Sequence, residues 1–251
     1  MTKLSIITVT YNAEKLLEDT LESVLSQTYS DYEYIFIDGC SSDETCKIIE
    51  KYLKIFKENG ISTTYISEAD KGIYDAMNKG AALAKGEWIY FLNAGDSLAD
   101  NRVLEKVSFE LKEDIDIVYG GTIYYQSDGS EAYIGSGEDV SVMPKHMPFC
   151  VQASFIKNKI QNRYKYDLRY RISADYNFFL EAYKNGARFK KIDVIVNNYL
   201  LGGFSSKYPF KTYLEVGRIR EQQGYLNRKS IIYVIKVIRF YLLCLFGKGS
   251  R

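Results

Sequence analysis

The sequence lacks the raw material for several kinds of site. A single histidine, His146, stands among 251 residues, and Cys40, Cys46, Cys150 and Cys244 form neither a CxxC pair nor a metal-ligand spacing. They read as four ordinary thiols of a reducing compartment. No Gly-rich loop of the dinucleotide or P-loop kind is present, which argues against NAD enzymes and ATPases. Residues 1–12 carry no cleavable apolar segment, so a chain retained in the cytoplasm is expected. No run of Pro, Gly and Ser divides the chain, and it has no internal repeat or low-complexity stretch.

Charge of one sign is missing as well: 33 Lys+Arg face 32 Asp+Glu, a formal net charge of +1, and no nucleic-acid partner is expected. With 46% hydrophobic and 26% charged residues the chain can bury a sizeable core. Disorder, collagen and a disulfide scaffold are excluded, and the length suits one large domain or two small ones. The neutral sum nevertheless averages two unlike parts. Residues 211–251 hold nine Lys/Arg and two Glu, or +7, which leaves −6 for residues 1–210. A domain over 1–210 and a basic tail over 211–251 are therefore expected.

Leu4–Thr10 is an apolar, β-branched run, and Leu16, Leu17, Thr20, Leu21, Val24 and Leu25 follow at helical spacing. The unit recurs: a strand at 33–37 ends at Asp38-Gly39, and a helix begun by Ser42-Asp43 runs to about Phe56. A strand at 63–66, a helix over 74–84 and a strand at 88–92 ending in Asn93-Ala94-Gly95-Asp96 complete the first half, residues 1–100. This alternation predicts an α/β fold with a parallel sheet covered on both faces. In the second half, 101–210, the short runs IVYGG, TIYYQ and EAYIG read as strands, followed by a helix at 176–185 and a strand at 189–196.

Ligands of open α/β sheets bind outside the carboxyl ends of the strands. Thr10, Tyr11, Asn12, Asp38, Asp70 and Asp96 all fall there. Three carboxylates converging on one edge repel one another unless a cation, a Lys or ligand donors compensate them. Asp96 suits Mg²⁺ or Mn²⁺ bridging a diphosphate; the alternative is a turn whose Asp caps a helix. Asp175, in Ile172-Ser173-Ala174-Asp175-Tyr176, is either a helix-start carboxylate or a catalytic one.

The stretches LSIITVTYNAEKLLEDTLESVLSQTYSDYEYIFIDGCSSDET and SEADKGIYDAMNKGAALAKGEWIYFLNAGD resemble the nucleotide-sugar-binding half of family 2 glycosyltransferases, most of all the bacterial branch that builds colanic acid and other exopolysaccharides. The likeness covers about residues 3–200 in the expected order. It implies the GT-A fold, a Rossmann-like mixed sheet flanked by helices, here followed by an amphipathic helical tail. It also implies an inverting hexosyl or deoxyhexosyl transfer from a UDP- or GDP-sugar, with Mg²⁺ or Mn²⁺.

By that resemblance Thr8, Thr10, Tyr11 and Asn12 line the nucleotide, and Asp38 takes a hydrogen bond from the base. Asp70, Lys71 and Asn78 contact the donor. Asn93 to Asp96 occupies the DxD position, with Asp96 as the one carboxylate aligned with the metal ligand. Asp175 matches the catalytic carboxylate, the base that removes the acceptor proton. His146 is either structural or a second ligand of the metal or diphosphate, because Val151 stands where many relatives carry the His before Gln. Gln152 is placed at the acceptor pocket.

Residues 230–246, SIIYVIKVIRFYLLCLF, are apolar yet carry Lys236 and Arg239, and they are too short to span a bilayer. Lys229, Lys236 and Arg239 share one helical face, as in a helix lying at a membrane interface. A dimer or core-packing helix is the alternative. The expected setting is the cytoplasmic face of a bacterial inner membrane, with a polyprenyl-diphosphate-linked glycan of capsule or exopolysaccharide as acceptor. Rival readings are transfer to a protein, teichoic acid or other lipid, or a degenerate member that binds nucleotide sugar without transferring it.

Truncation after Gly224 is predicted to release the protein from anionic liposomes in a flotation assay while leaving UDP- or GDP-induced thermal stabilisation intact. Undiminished flotation of the truncated chain would sink the interfacial-helix reading.

Overall fold

Long apolar runs in this chain alternate Ile, Val and aromatic residues with no polar face, and such runs become strands buried on both sides. The computed structural model describes residues 3–126, 128–202 and 208–226. In it β1 (Leu4–Thr10) and β2 (Tyr32–Asp38) are buried along their whole lengths. Between and after them come α1 (Leu17–Leu25), α2 (Thr45–Glu58), β3 (Ser62–Ser67), α3 (Ile73–Leu83) and β4 (Trp88–Phe91). Then follow β5 (Ser97–Leu98), α4 (Val103–Ser108), β6 (Ile117–Tyr125) and β7 (Glu131–Gly135). The described chain ends with β8 (Ser154–Lys157), α5 (Asn158–Tyr164), α6 (Ala174–Lys184), β9 (Phe189–Leu200) and α7 (Pro209–Gln222).

The strands form one sheet of order β3-β2-β1-β4-β8-β6-β9-β5, with β7 added beside β6. Pairing is parallel from β3 to β4, and then antiparallel as β8 enters between β4 and β6. The sheet is therefore mixed, and only its first half is the all-parallel layer that the strand–helix alternation suggests. The runs IVYGG and TIYYQ are not two strands but one, β6, whose register with β9 shifts around Gly121. A bulge there lets a long strand bend without a turn.

Successive strand residues face opposite ways, so each strand serves two cores. Ile6, Tyr34, Phe36, Trp88 and Tyr90 meet α1 and α2 through Leu17, Leu21, Val24, Ile49 and Phe56. Ile7, Ile35, Ile37, Ile89 and Phe91 meet Met77 of α3 and Phe178, Phe179 and Leu180 of α6. Ile219 of α7 joins the second core. The division expected at residue 210 thus falls inside a helix that packs on the domain, and Lys229, Lys236 and Arg239 lie outside the described residues.

At the amino end of the parallel strands the buried Glu33 accepts hydrogen bonds from Ser5 Oγ at 2.7 Å and from the Lys85 and Gly86 amides at 2.6 and 3.2 Å. That approach leaves no room at Gly86, where a Cβ would lie 2.6 Å from the Ser5 nitrogen. Gly86→Ala is predicted to cost about 2 kcal/mol, the scale of overpacking against backbone. Urea unfolding measures it, and an unchanged midpoint would contradict the packing argument.

Candidate active site

Parallel pairing sets Thr10 beside Asp38 and Asp38 beside Ser67, so three strand ends present one polar row. Thr10 Oγ1 donates to Asp38 at 2.9 Å, Ser67 Oγ at 2.7 Å, and Ser41 gives both its amide at 2.9 Å and its hydroxyl at 2.5 Å. Burial alone would push the Asp38 carboxyl up, but these donors, Ser41 foremost, outweigh it and hold it below the usual carboxylate range. A carboxylate offers about four acceptor positions, so Asp38 is already saturated by protein. Its foremost work is to join the three strand ends, and a base could bond it only by displacing a hydroxyl. Ser41 and Ser67, which the sequence did not single out, share the site.

Asn12 does similar work one loop away. With φ of 49° it accepts from the Ser42 amide at 2.8 Å, while its own amide donates to Ser41 Oγ at 2.8 Å. It ties the β1–α1 loop to the β2–α2 loop. Tyr11, 69% exposed, is left as a free aromatic face at this edge, and Asp70 lies close against Gly39 and accepts the Gly72 amide at 2.7 Å. Lys71 is exposed beside it. Thr8 behaves otherwise: it is wholly buried, donating to the Leu92 carbonyl at 2.6 Å and sharing a hydrogen bond with Tyr34 Oη at 2.9 Å. It anchors the end of β4 and does not face a ligand.

The Asn93–Asp96 turn is held from α1, where Thr20 Oγ1 donates to the Asp96 carbonyl at 2.7 Å and accepts the Gly95 amide at 3.0 Å. Gly95 has φ of 99°, a conformation that admits few other residues. Asp96 is 6% exposed, and its carboxylate receives one weak donor, the Leu200 amide at 3.3 Å. Burial, only partly offset by that amide, pushes its carboxyl up to about 7. In the same turn Asn93 Oδ1 is buried without a partner. An under-compensated carboxylate and an orphaned amide oxygen are the hard donors that suit Mg²⁺ or Mn²⁺, with diphosphate and water supplying the rest. Among the described residues no three His, Cys, Asp or Glu side chains gather to hold a metal. Asp38, Asp70 and Asp96 occupy one edge but form no cluster.

Asp175 opens α6 in the second half of the domain. Burial pushes its carboxyl up to about 6, against the pull of the Tyr176 amide, which donates to it at 2.7 Å, and of Tyr74. The loop before it is clamped: Tyr74 Oη donates to the Ile172 carbonyl at 2.6 Å. Asn78 spends both ends of its amide on Tyr166, donating to its carbonyl and accepting its N–H at 2.8 Å each. These two bonds fasten α3 to the approach to Asp175, a structural role beside the expected donor contact of Asn78. Tyr199 of β9 feels the charge of both carboxylates: burial first, then Asp96, Cys150 and Asp175, push its phenol up to about 12. Neither Tyr199 nor Tyr74 carried a motif that would have revealed it.

His146 lies exposed, its Nε2 2.7 Å from Glu138 Oε1, and no hydrogen bond joins it to Asp96. Gln152 is nearer the centre, its Oε1 accepting from Cys150 Sγ at 3.2 Å. Burial, then the nearby Asp96, pushes that thiol up to about 12.

Residues 5–191 match the family model described as glycosyl transferase family 2. A PGL/p-HBAD biosynthesis glycosyltransferase of Mycobacterium tuberculosis is 34% identical over 217 residues, covering 84% of this chain and 82% of the relative. A putative teichuronic acid biosynthesis glycosyltransferase, TuaG, of Bacillus subtilis is 32% identical over 126 residues, half of this chain and 49% of its own. Among solved structures, S. aureus TarS 1-349 in complex with UDP-GlcNAc superposes with a TM-score of 0.70 at 19% identity, over 98% of this chain and 73% of that one. The mannosyltransferase PcManGT from Pyrobaculum calidifontis, in complex with GDP-Man and Mn²⁺, gives 0.68 at 14%, over 99% and 76%. At these identities the two structures speak for the fold.

Asp96 folds with a raised affinity for its proton, so its burial costs stability as pH climbs from the unfolded value near 4 through about 7. Asp96→Asn is predicted to raise the melting temperature of metal-free protein by roughly 4–8 °C at pH 8, taking about 2 kcal/mol and about 2–4 °C per kcal/mol. The gain should shrink towards pH 4. A gain independent of pH would refute the buried-charge explanation.

Proposed function

The chain belongs to glycosyl transferase family 2, has its GT-A fold and is a glycosyltransferase, and from that premise we propose an inverting, metal-assisted transfer from a nucleotide-diphosphate sugar. The observation that carries the reading is the buried Asp96 in one turn with the unpartnered Asn93 Oδ1, together with Asp175 at the start of α6, where Tyr74 and Glu215 hold the preceding backbone. The two carboxylates divide the chemistry. Asp96 and Asn93 would hold Mg²⁺ or Mn²⁺, whose charge supports the leaving diphosphate. Asp175 takes the proton of the acceptor hydroxyl, and a base with pKa near 6 is ionised at neutral pH while retaining proton affinity.

The exposed Tyr11 and the Thr10–Asp38–Ser67 row suit a nucleoside, and Asp70 with Lys71 lies on the path to the diphosphate turn. The named ligands of the structural relatives, UDP-GlcNAc and GDP-Man, support a UDP- or GDP-sugar donor. Gln152 lies on the acceptor side, and His146, paired with Glu138, is the lesser candidate for the metal.

For the acceptor, the basic tail with Lys229, Lys236 and Arg239 favours a lipid-linked glycan met at the inner membrane face, in capsule or exopolysaccharide assembly. Among the described residues no helix is long and apolar enough to cross a membrane. A teichoic-acid type of acceptor is the second reading, favoured by the relative named for teichuronic acid biosynthesis. A non-catalytic role fits less well, because Asp96 and Asp175 are both present.

Asp175→Asn should lower sugar transfer by about 10²–10⁴-fold while UDP- or GDP-induced stabilisation persists. The wild-type rate should rise with pH through about 6 as the base loses its proton. EDTA should abolish transfer and Mn²⁺ restore it, with UDP or GDP release from a panel of nucleotide sugars as the readout. Full activity of the Asn variant would exclude the base, and indifference to EDTA would exclude the metal.

A further inference from the structure

Helix α6 begins without the cap its sequence offers. Ser173 is the N-cap residue, yet its side chain makes no capping hydrogen bond and its Oγ is buried without a partner. A helix start leaves N–H groups that something must satisfy. The amides of the segment just before the helix, residues 171–173, meet an acceptor 42 residues further along the chain, on α7. Glu215 Oε1 accepts the Arg171 amide at 3.0 Å, and Oε2 accepts the Ile172 and Ser173 amides at 2.9 Å each. Three consecutive N–H groups converging on one carboxylate form an anion-binding concavity, and charge-assisted bonds of this kind are about twice as strong as neutral ones.

The bonded segment ends two residues before Asp175. Ile172 is gripped from both sides, its N–H by Glu215 and its carbonyl by Tyr74 Oη at 2.6 Å. Helix α7 is itself fixed to α6 and its approach: Tyr170 Oη donates to Gln222 at 2.5 Å, Lys184 Nζ to the Gln223 carbonyl at 2.9 Å, and Gln223 Nε2 to Asn177 at 3.3 Å. These bonds hold the approach to α6 and leave the amides of its first turn untouched, so helix capping does not account for them. Placing a second carboxylate beside an already desolvated one is electrostatically unfavourable and needs another consequence to explain it.

We infer that Glu215 is a positioning residue of the transfer reaction, aiming Asp175 through the backbone of residues 171–173. The inference rests on the assignment of Asp175 as base. Among the described residues the titratable groups whose charge acts on Asp175 or is acted on by it are Tyr74 of α3, Tyr166 of the α5–α6 connection, Tyr199 of β9 and Glu215 of α7. The three phenols hold their protons far above neutral pH, which leaves Glu215 as the carboxylate among them. Its negative charge favours the protonated form of Asp175, so removing it lowers the pKa of Asp175 and moves the acid limb of the rate profile to lower pH.

The test uses the full chain with Mn²⁺ and whichever of UDP-glucose, UDP-GlcNAc or GDP-mannose the wild type turns over fastest, and compares Glu215→Ala, Glu215→Gln and Asp175→Asn. Glu215→Ala should lower kcat by about 10- to 100-fold, the scale of a misplaced catalytic group, with donor KM within about threefold. Glu215→Gln, which keeps an acceptor oxygen, should recover part of kcat and show the acid limb displaced downwards. It also carries the test if the Ala variant fails to fold, judged by UDP- or GDP-induced thermal stabilisation. A folded Ala variant with wild-type kcat, an equal loss of kcat and donor affinity, or an unmoved acid limb in the Gln variant overturns the positioning role alone. Full activity of Asp175→Asn overturns the base assignment and this inference with it.

Discussion

A sheet covered on both faces leaves polar groups one place to emerge, the line where its strands stop. Strands β1, β2 and β4 are buried from end to end, and their in-plane neighbours satisfy their backbones. Thr10, Asp38 and Ser67 therefore appear together at the carboxyl edge because the parallel register aligns them. The Asn93–Asp96 turn follows the end of β4 on the same principle. Every loop that shapes the site is hung from that line.

Burial then sorts the carboxylates by how well each is compensated. Asp38 is saturated by hydroxyl and amide donors and works as a structural node. Asp70 is turned back onto the Gly72 amide. Among the described residues Asp96 receives the Leu200 amide and Asp175 the Tyr176 amide and the pull of Tyr74, which do not offset burial, and both are pushed towards neutrality. A site is recognisable here less by the presence of acids than by the two left unsatisfied, because an incompletely paired buried charge destabilises a fold and is kept where a ligand or a proton completes it.

The second half of the domain gives those two acids their setting through bonds that cross long stretches of chain. Asn78 fastens α3 to Tyr166, Tyr74 reaches the Ile172 carbonyl, and Glu215 closes the start of α6 from α7. The last described helix is thus part of the same framework as the candidate base.

Much was legible in the amino-acid sequence: the order of strands and helices up to β4, the edge at which polar residues gather, and Asp96 and Asp175 as the acids to watch. Those follow from local causes, the period of apolar residues and the chemistry of a residue at a strand end or helix start. The mixed half of the sheet was legible only through the family resemblance and not in the apolar periodicity, since β8 reaches β4 by pairing over more than sixty residues of chain. The true partners were not legible. Thr8 and Asn78 look like ligand contacts and bond Leu92 and Tyr166, while Ser41 and Ser67, inside the quoted stretches but not singled out, and Tyr199 and Glu215, outside them, bond or bias the acids or the backbone before them. Residue type states what a side chain can donate or accept; which partner it meets, and how far it is removed from water, is fixed only when distant segments pack.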